Sequence, residues 1–239
     1  MIRLLKSEGG VAVKKFIEKW IPRYAVVPLL ACVILNTIVY SGNRLVPKYR
    51  FFDVSIPGID DQIPLWTWMI TFYVFSYVFW VVGFIIIGRE DKQTCYEMLS
   101  GEMIAKGICL VFFFAMPTEM VDWPSGQFEI ENVFDWTTQL IYDMDEPNNL
   151  FPSIHCLESW VVTRGAFRCK KPKNWYKIYC VIITLGIFAS TVLVRQHVVI
   201  DILGGVLVAE LGLFLAKKLV PGAFSPSWSV RRGWKCNGW

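Results

Sequence analysis

The amino-acid sequence predicts an all-α integral membrane protein, a bundle of six transmembrane helices. Three observations predict it: an apolar composition, apolar residues gathered into long runs, and Lys and Arg confined mostly to alternate connections between them. Of 239 residues, 54% are hydrophobic, 15% aromatic and only 18% charged, which is too apolar for an ordinary soluble domain.

A helix rises about 1.5 Å per residue and needs roughly 17–25 residues to cross the hydrocarbon. Ala25–Tyr40, Leu65–Gly88, Met103–Pro117, Ile178–Val194 and Val198–Val220 are runs of that kind with few charges. The third is short and is expected to extend at its N-terminal end. A sixth stretch, Ile154–Phe167, carries Glu158 and Arg164. It is kept as a span because charged groups are tolerated in a bilayer when they face a bundle interior. Glu158, like Glu210 in the last span, is expected to pair inside the bundle. Gly204-Gly205 points to close helix contact in the sixth span.

Residues 1–24 read as a basic cytoplasmic segment, 25–220 as one membrane domain, and 221–239 as a cytoplasmic tail. The first 23 residues lack the short apolar core and small-residue cleavage site of a secretory signal. Val11–Tyr24 instead suits a basic amphipathic helix lying at the interface. The seven cysteines are scattered without a CxxC pair, so they read as small apolar core residues rather than a zinc ribbon or disulfide framework.

Orientation follows from the cations. With the N-terminus in the cytoplasm, the inside segments and their flanks hold twenty of the 24 Lys and Arg. Arg89, Lys92 and Lys106 belong to the second-to-third connection, and the Arg164–Lys177 cluster to the fourth-to-fifth. Only Arg44, Lys48, Arg50 and Arg195 fall outside. The bias places both termini in the cytoplasm. The outer side then receives the loops Ser41–Pro64 and Thr118–Pro152 and the tight turn around Arg195–His197. The long outer loop has eight acids and no Lys or Arg. It reads as a solvated segment, with a lid that repels like-charged substrates as the alternative. Its aromatics, Trp123, Phe128, Phe134 and Trp136, suggest parts that lie on the interface. The net +4 charge comes from segments flanking spans, which insertion and anionic lipid contacts explain without nucleic acid.

The chain has two histidines, and this topology brings both to one face. His155 lies in Phe151-Pro-Ser-Ile-His155 at the start of the fourth span. His197 lies in Arg195-Gln-His-Val-Val-Ile-Asp201, where the fifth span turns into the sixth. His197 and Asp201 are four apart, so on a helix the carboxylate can hold one ring nitrogen and leave the other as nucleophile or base. Pro152 suits a first helical turn and Ser153 a cap, with free backbone N–H groups for an anion. His155 is placed to protonate a leaving oxygen. Arg195 supplies a planar cation for phosphate oxygens. Each feature has a plainer reading: a structural His–carboxylate bond, a snorkelling arginine, a simple helix cap. A metal held by His155, Glu158, His197 and Asp201 is a further alternative, against which no tight ligand motif such as His-Glu-x-x-His occurs. The conjunction of these residues at one face of a membrane bundle favours phosphoryl transfer.

The segment Asn148-Asn-Leu-Phe-Pro-Ser-Ile-His155, with Ser190-Thr-Val-Leu-Val-Arg-Gln-His197-Val-Val-Ile-Asp201 some 35 residues on, resembles the type 2 phosphatidic acid phosphatase superfamily. The likeness spans roughly 59–220 and is nearest to the branch that includes inositol phosphorylceramide synthases. It implies six helices, an active site at the outer membrane face, and no metal or other cofactor. The histidine matching His197 forms a phosphohistidine, the acid matching Asp201 orients it, and the one matching His155 protonates the leaving group. Arg195, Ser153 and Asn149 are the implied substrate-binding residues. The chain departs from the family pattern at three places. Ile154 stands where the second motif has glycine. Thr191 stands where the third has arginine, a role expected to pass to Arg195. The first-motif position, Pro117–Pro124, carries no Lys or Arg. The expected activity is hydrolysis of a lipid phosphate or pyrophosphate, with membrane lipids as surroundings. Head-group transfer through the same histidine, or a non-catalytic membrane scaffold, are the alternatives.

Overall fold

A computed structural model describes residues 19–42, 50–120, 123–145 and 148–220. The basic segment before residue 19, Arg44, Lys48 and the tail from 221 lie outside the described residues. The described residues form seven α-helices: α1 (Arg23–Thr37), α2 (Ile70–Glu90), α3 (Lys92–Ala115), α4 (Val133–Met144), α5 (Ile154–Arg168), α6 (Asn174–Leu193) and α7 (Val199–Leu219). Helix α1 runs on into a π turn, Ile38–Gly42. Among the described residues the only extended pairings are two isolated bridges, Phe52 with Thr118 and Glu119 with Asn148. The fold is therefore all-α. Five of its helical stretches, all but α4 and α5, are long and apolar enough to cross a membrane, and the chain is an integral membrane protein.

Helix α5 is the exception that organises the rest. It has 15 residues, ten of them buried, and it packs against α2, α3, α6 and α7. A helix wrapped by other helices meets no lipid, so its side chains need not be uniformly apolar. Polar contacts hold it from several sides. The Trp80 indole N–H of α2 donates to Ser159 Oγ at 2.9 Å, and Thr184 of α6 donates to the Ser159 carbonyl at 3.0 Å. Trp160 Nε1 and Arg164 Nε each lie 2.7 Å from the Glu210 carboxylate of α7, so Glu210 does pair within the bundle. Helix α7 crosses α5 closely enough that a Cβ on Gly205 would lie 2.5 Å from the Ser153 carbonyl oxygen, and one on Gly204 would strike the Phe151 ring. The glycine pair works as a contact surface, as its sequence suggested.

Two expectations change. The third span does extend at its N-terminal end, so the second-to-third connection is the single residue Asp91, whose carboxylate caps α3 by accepting the Thr94 N–H at 2.8 Å. Lys106 consequently lies in the middle of α3, buried, and not among the flanking cations. The long acidic loop is also not simply solvated chain. It folds the 12-residue α4 behind a capping box made by Asn132 and Asp135, and Trp123 and Phe128 turn inward onto Tyr142. The six described cysteines are all buried and free.

Candidate active site

Helix α6 ends in a turn that delivers His197. The Gln196 N–H bonds the Thr191 carbonyl and the Arg195 N–H that of Val192, the two bonds of a Schellman ending. Arg195 takes the left-handed position there, φ 52°, where glycine is usual and any other residue costs about 1 kcal/mol or more. Its guanidinium offsets that strain by donating from Nη1 to the carbonyls of Asp60 (2.7 Å) and Ile63 (3.0 Å). The last carbonyls of α6 are taken by the Tyr142 hydroxyl, donating to Val194, and the Trp66 N–H, donating to Leu193. The turn is thus clasped between the 60–66 segment and α4.

Three residues later α7 begins, and Asp201 lies in its first turn. Its Oδ2 sits 3.1 Å from His197 Nδ1 and accepts the Val198 N–H at 3.0 Å. The His–Asp pair expected from the four-residue spacing is therefore formed, wholly buried on the Asp side. Asp60, buried in the preceding loop, accepts the Val199 N–H at 2.9 Å and steadies the same helix start. With Nδ1 held, Nε2 is the free nitrogen of the His197 ring.

Ser153 caps α5 as the sequence implied, accepting the Cys156 N–H at 3.3 Å, and its own N–H reaches the Asp201 carbonyl. Pro152 falls before the cap rather than in the first turn, after a cis Phe151–Pro152 bond. Asn149 has φ 59° and is fixed through its N–H to the Thr118 carbonyl. Thr118 Oγ1 then accepts the N–H groups of Leu150 and Phe151. Thr118 thus ties down the segment leading to His155.

His155, the second residue of α5, stacks on Tyr73 with ring centres 4.3 Å apart and lies 5.1 Å from the Trp80 ring. Its ring centre is 5.9 Å from that of His197. Both histidines line one cavity of about 290 Å³ between α1, α2 and α5. Tyr40, Tyr77 and Phe113 supply much of its wall, and Asn149, Asp145 and Gln196 lie along it. Among the described lining residues there is no Lys or Arg. Arg195 and His197 instead border a second, small pocket with Asp53, Asp60 and Asp61.

The histidine pair and Asn149 are brought to one cavity, with Asp201 buried behind His197; the Arg195 guanidinium is directed to the 60–63 carbonyls, and Ser153 is spent on the helix cap. Sequence reasoning passed over Gln196. It is buried beside His197, and its Nε2, like His155 Nε2, has no hydrogen-bond partner among the described residues. Buried donors are nearly always satisfied, so two unsatisfied ones at a cavity point to a ligand that accepts hydrogen bonds. Asp60, Tyr73 and Trp80 were likewise invisible as site residues, because nothing in local spacing links them to the histidines.

A family model described as the PAP2 superfamily matches residues 55–215, about two thirds of the chain. No curated protein and no solved structure matches it.

Proposed function

The chain belongs to the PAP2 superfamily, whose members are generally phosphoric ester hydrolases, and from that premise we propose that it is a membrane lipid phosphatase working through a phosphohistidine at the outer membrane face. The observation that carries this reading is the oriented His197–Asp201 pair facing His155 across one apolar cavity.

His197 Nε2 attacks phosphorus as the bond to the lipid oxygen breaks, and His155 passes a proton to that oxygen. Asp201 on Nδ1 fixes the tautomer and offsets the charge the ring gains. A water then attacks the phosphohistidine, giving its proton to His155 and returning His197 to its first state. Asn149 and Gln196 are the neighbouring amides for the phosphoryl oxygens, and the aromatic wall accepts the lipid. The same reading places the membrane domain at 25–220, with both termini in the cytoplasm and the 1–24 and 221–239 segments on that side; the cation asymmetry supports it. Phosphate release from lipid phosphates and pyrophosphates in detergent, with chelator present, tests the assignment. Release is expected from the wild type and not from His197→Ala; retention of activity in that variant sinks it.

One observation favours a second reading. A cavity without Lys or Arg among its described residues is poorly suited to a dianionic monoester, but suits a singly charged phosphodiester. Head-group transfer to an alcohol uses the same three side chains. Product analysis with a labelled lipid separates the two: free phosphate means hydrolysis, a new lipid means transfer.

A further inference from the structure

The most costly feature of the bundle lies outside the site. Lys106 of α3, buried, forms ion pairs with Glu102 one turn earlier on the same helix and with Glu158 of α5, the latter at 2.6 Å. All three side chains are essentially inaccessible, between α3, which is long and apolar enough to span a membrane, and the α5 it packs against. Desolvating charges costs several kcal/mol per ion, and well-packed apolar residues often serve stability equally well. Charges inside a membrane therefore mark a function by default.

The position of the cluster indicates which function. Glu158 is three residues from His155, on the same face of α5. Of the three charges, two belong to α3 and only Glu158 to α5, so the Lys106–Glu158 contact is a pin between the two helices. A second chain of contacts runs parallel to it. Ser159 Oγ donates to the His155 carbonyl at 2.7 Å and accepts from Trp80 Nε1, and the Trp80 ring faces His155. Rotation of α5 about its axis would carry His155 away from the cavity and would break both chains at once.

Resting on the proposed phosphohistidine chemistry, we infer that Lys106, with Glu102 and Glu158, is a positioning device that sets the rotation of α5 and so holds His155 at proton-transfer distance from the leaving oxygen. Lys106 touches no substrate. Its effect reaches the reaction only through His155, so formation of the phosphohistidine depends on it only when the leaving group needs a proton.

That dependence supplies the test. A nitrophenolate leaves without a proton, whereas an alkoxide does not, so 4-nitrophenyl phosphate and a long-chain alkyl phosphate separate positioning from general structural damage. Glu158→Gln is the first variant, because it leaves Lys106 and Glu102 as a balanced pair on one helix. The triple variant Glu102→Gln/Lys106→Met/Glu158→Gln is the second and buries no charge at all. Each is expected to slow phosphohistidine formation from the alkyl phosphate, read in a single turnover, by roughly 10- to 100-fold, within the range that a misplaced general acid costs. Each should leave first-turnover release of nitrophenolate within about 3-fold. Equal loss on both substrates, or loss on neither, in the Glu158 and triple variants overturns this inference alone. Equal loss on both in His155→Ala removes the proton-donor role itself, and this inference with it.

Discussion

Two polar clusters lie inside this bundle about one turn of α5 apart, and they are completed in opposite ways. Around Lys106 one ammonium is shared by two carboxylates, and the cluster lines neither cavity at the histidines. Around His155 and His197 an aromatic cavity remains, with the Gln196 amide and the His155 Nε2 left without partners among the described residues. Both clusters carry the desolvation cost of polar groups among apolar helices. The closed one returns it as helix registration; the open one holds it until a ligand arrives with acceptor atoms. In a membrane bundle, then, burial of a polar group does not by itself mark a reaction centre. What distinguishes the two is whether the polar groups open on a cavity that a ligand can enter.

That contrast can be broken experimentally. Asp201→Asn should have the largest effect, lowering turnover by roughly 10²- to 10⁴-fold, because the His197 ring loses its tautomer and its counter-charge. Initial rates with detergent-solubilised protein check it, and a loss under 10-fold would mean His197 needs no orienting acid. Gln196→Leu follows, with a loss of about 10²-fold if its amide meets a developing negative charge. A variant as active as wild type would reduce the unsatisfied amide to a packing accident. Arg195→Ala is expected to cost less than about 10-fold in turnover while lowering the melting temperature, since its guanidinium is engaged with the 60–63 carbonyls and strained backbone remains. If it outweighs Gln196→Leu in turnover, the arginine swings into the cavity during catalysis.

The smallest effect belongs to the outer clasp. The Thr67 hydroxyl, donating to Asp135 at 2.6 Å, holds that carboxyl below its usual range; burial opposes the shift, and the Glu131 and Asn132 N–H groups reinforce it. A lowered folded pKa means that the stabilisation is complete above the unfolded value, about 4, and is lost as pH falls through the folded one. Melting curves from neutral to acid pH should therefore show a drop at the acid end that Asp135→Asn lacks. A variant curve parallel to wild type would show that the clasp does not depend on this charge.

Much of this was legible in sequence because it is local. Helices of lipid-facing residues announce themselves by length and hydropathy, and a histidine four residues before an aspartate meets it on any helix. Where reading failed, the missing partner was distant. Lys106 looked like a flanking cation because its acceptor, Glu158, lies 52 residues on and a helix away. Arg195 looked like a phosphate ligand because the 60–63 carbonyls that hold it are more than 130 residues earlier. Helix α4 was hidden by its acids, although its Asn132–Asp135 cap was written in plain view.

The sequence by itself determined the class of the molecule, the five apolar helices, the sixth polar one and the His197–Asp201 pair, since each depends on periodicity or on contacts within one turn. Tertiary structure decided that α5 is the buried centre and that Arg195 faces a loop. It also decided that Gln196 stands beside His197 and that three charges meet between α3 and α5. Those outcomes depend on which helix faces reach one another, and a chain's local pattern does not encode the identity of the atom across the gap.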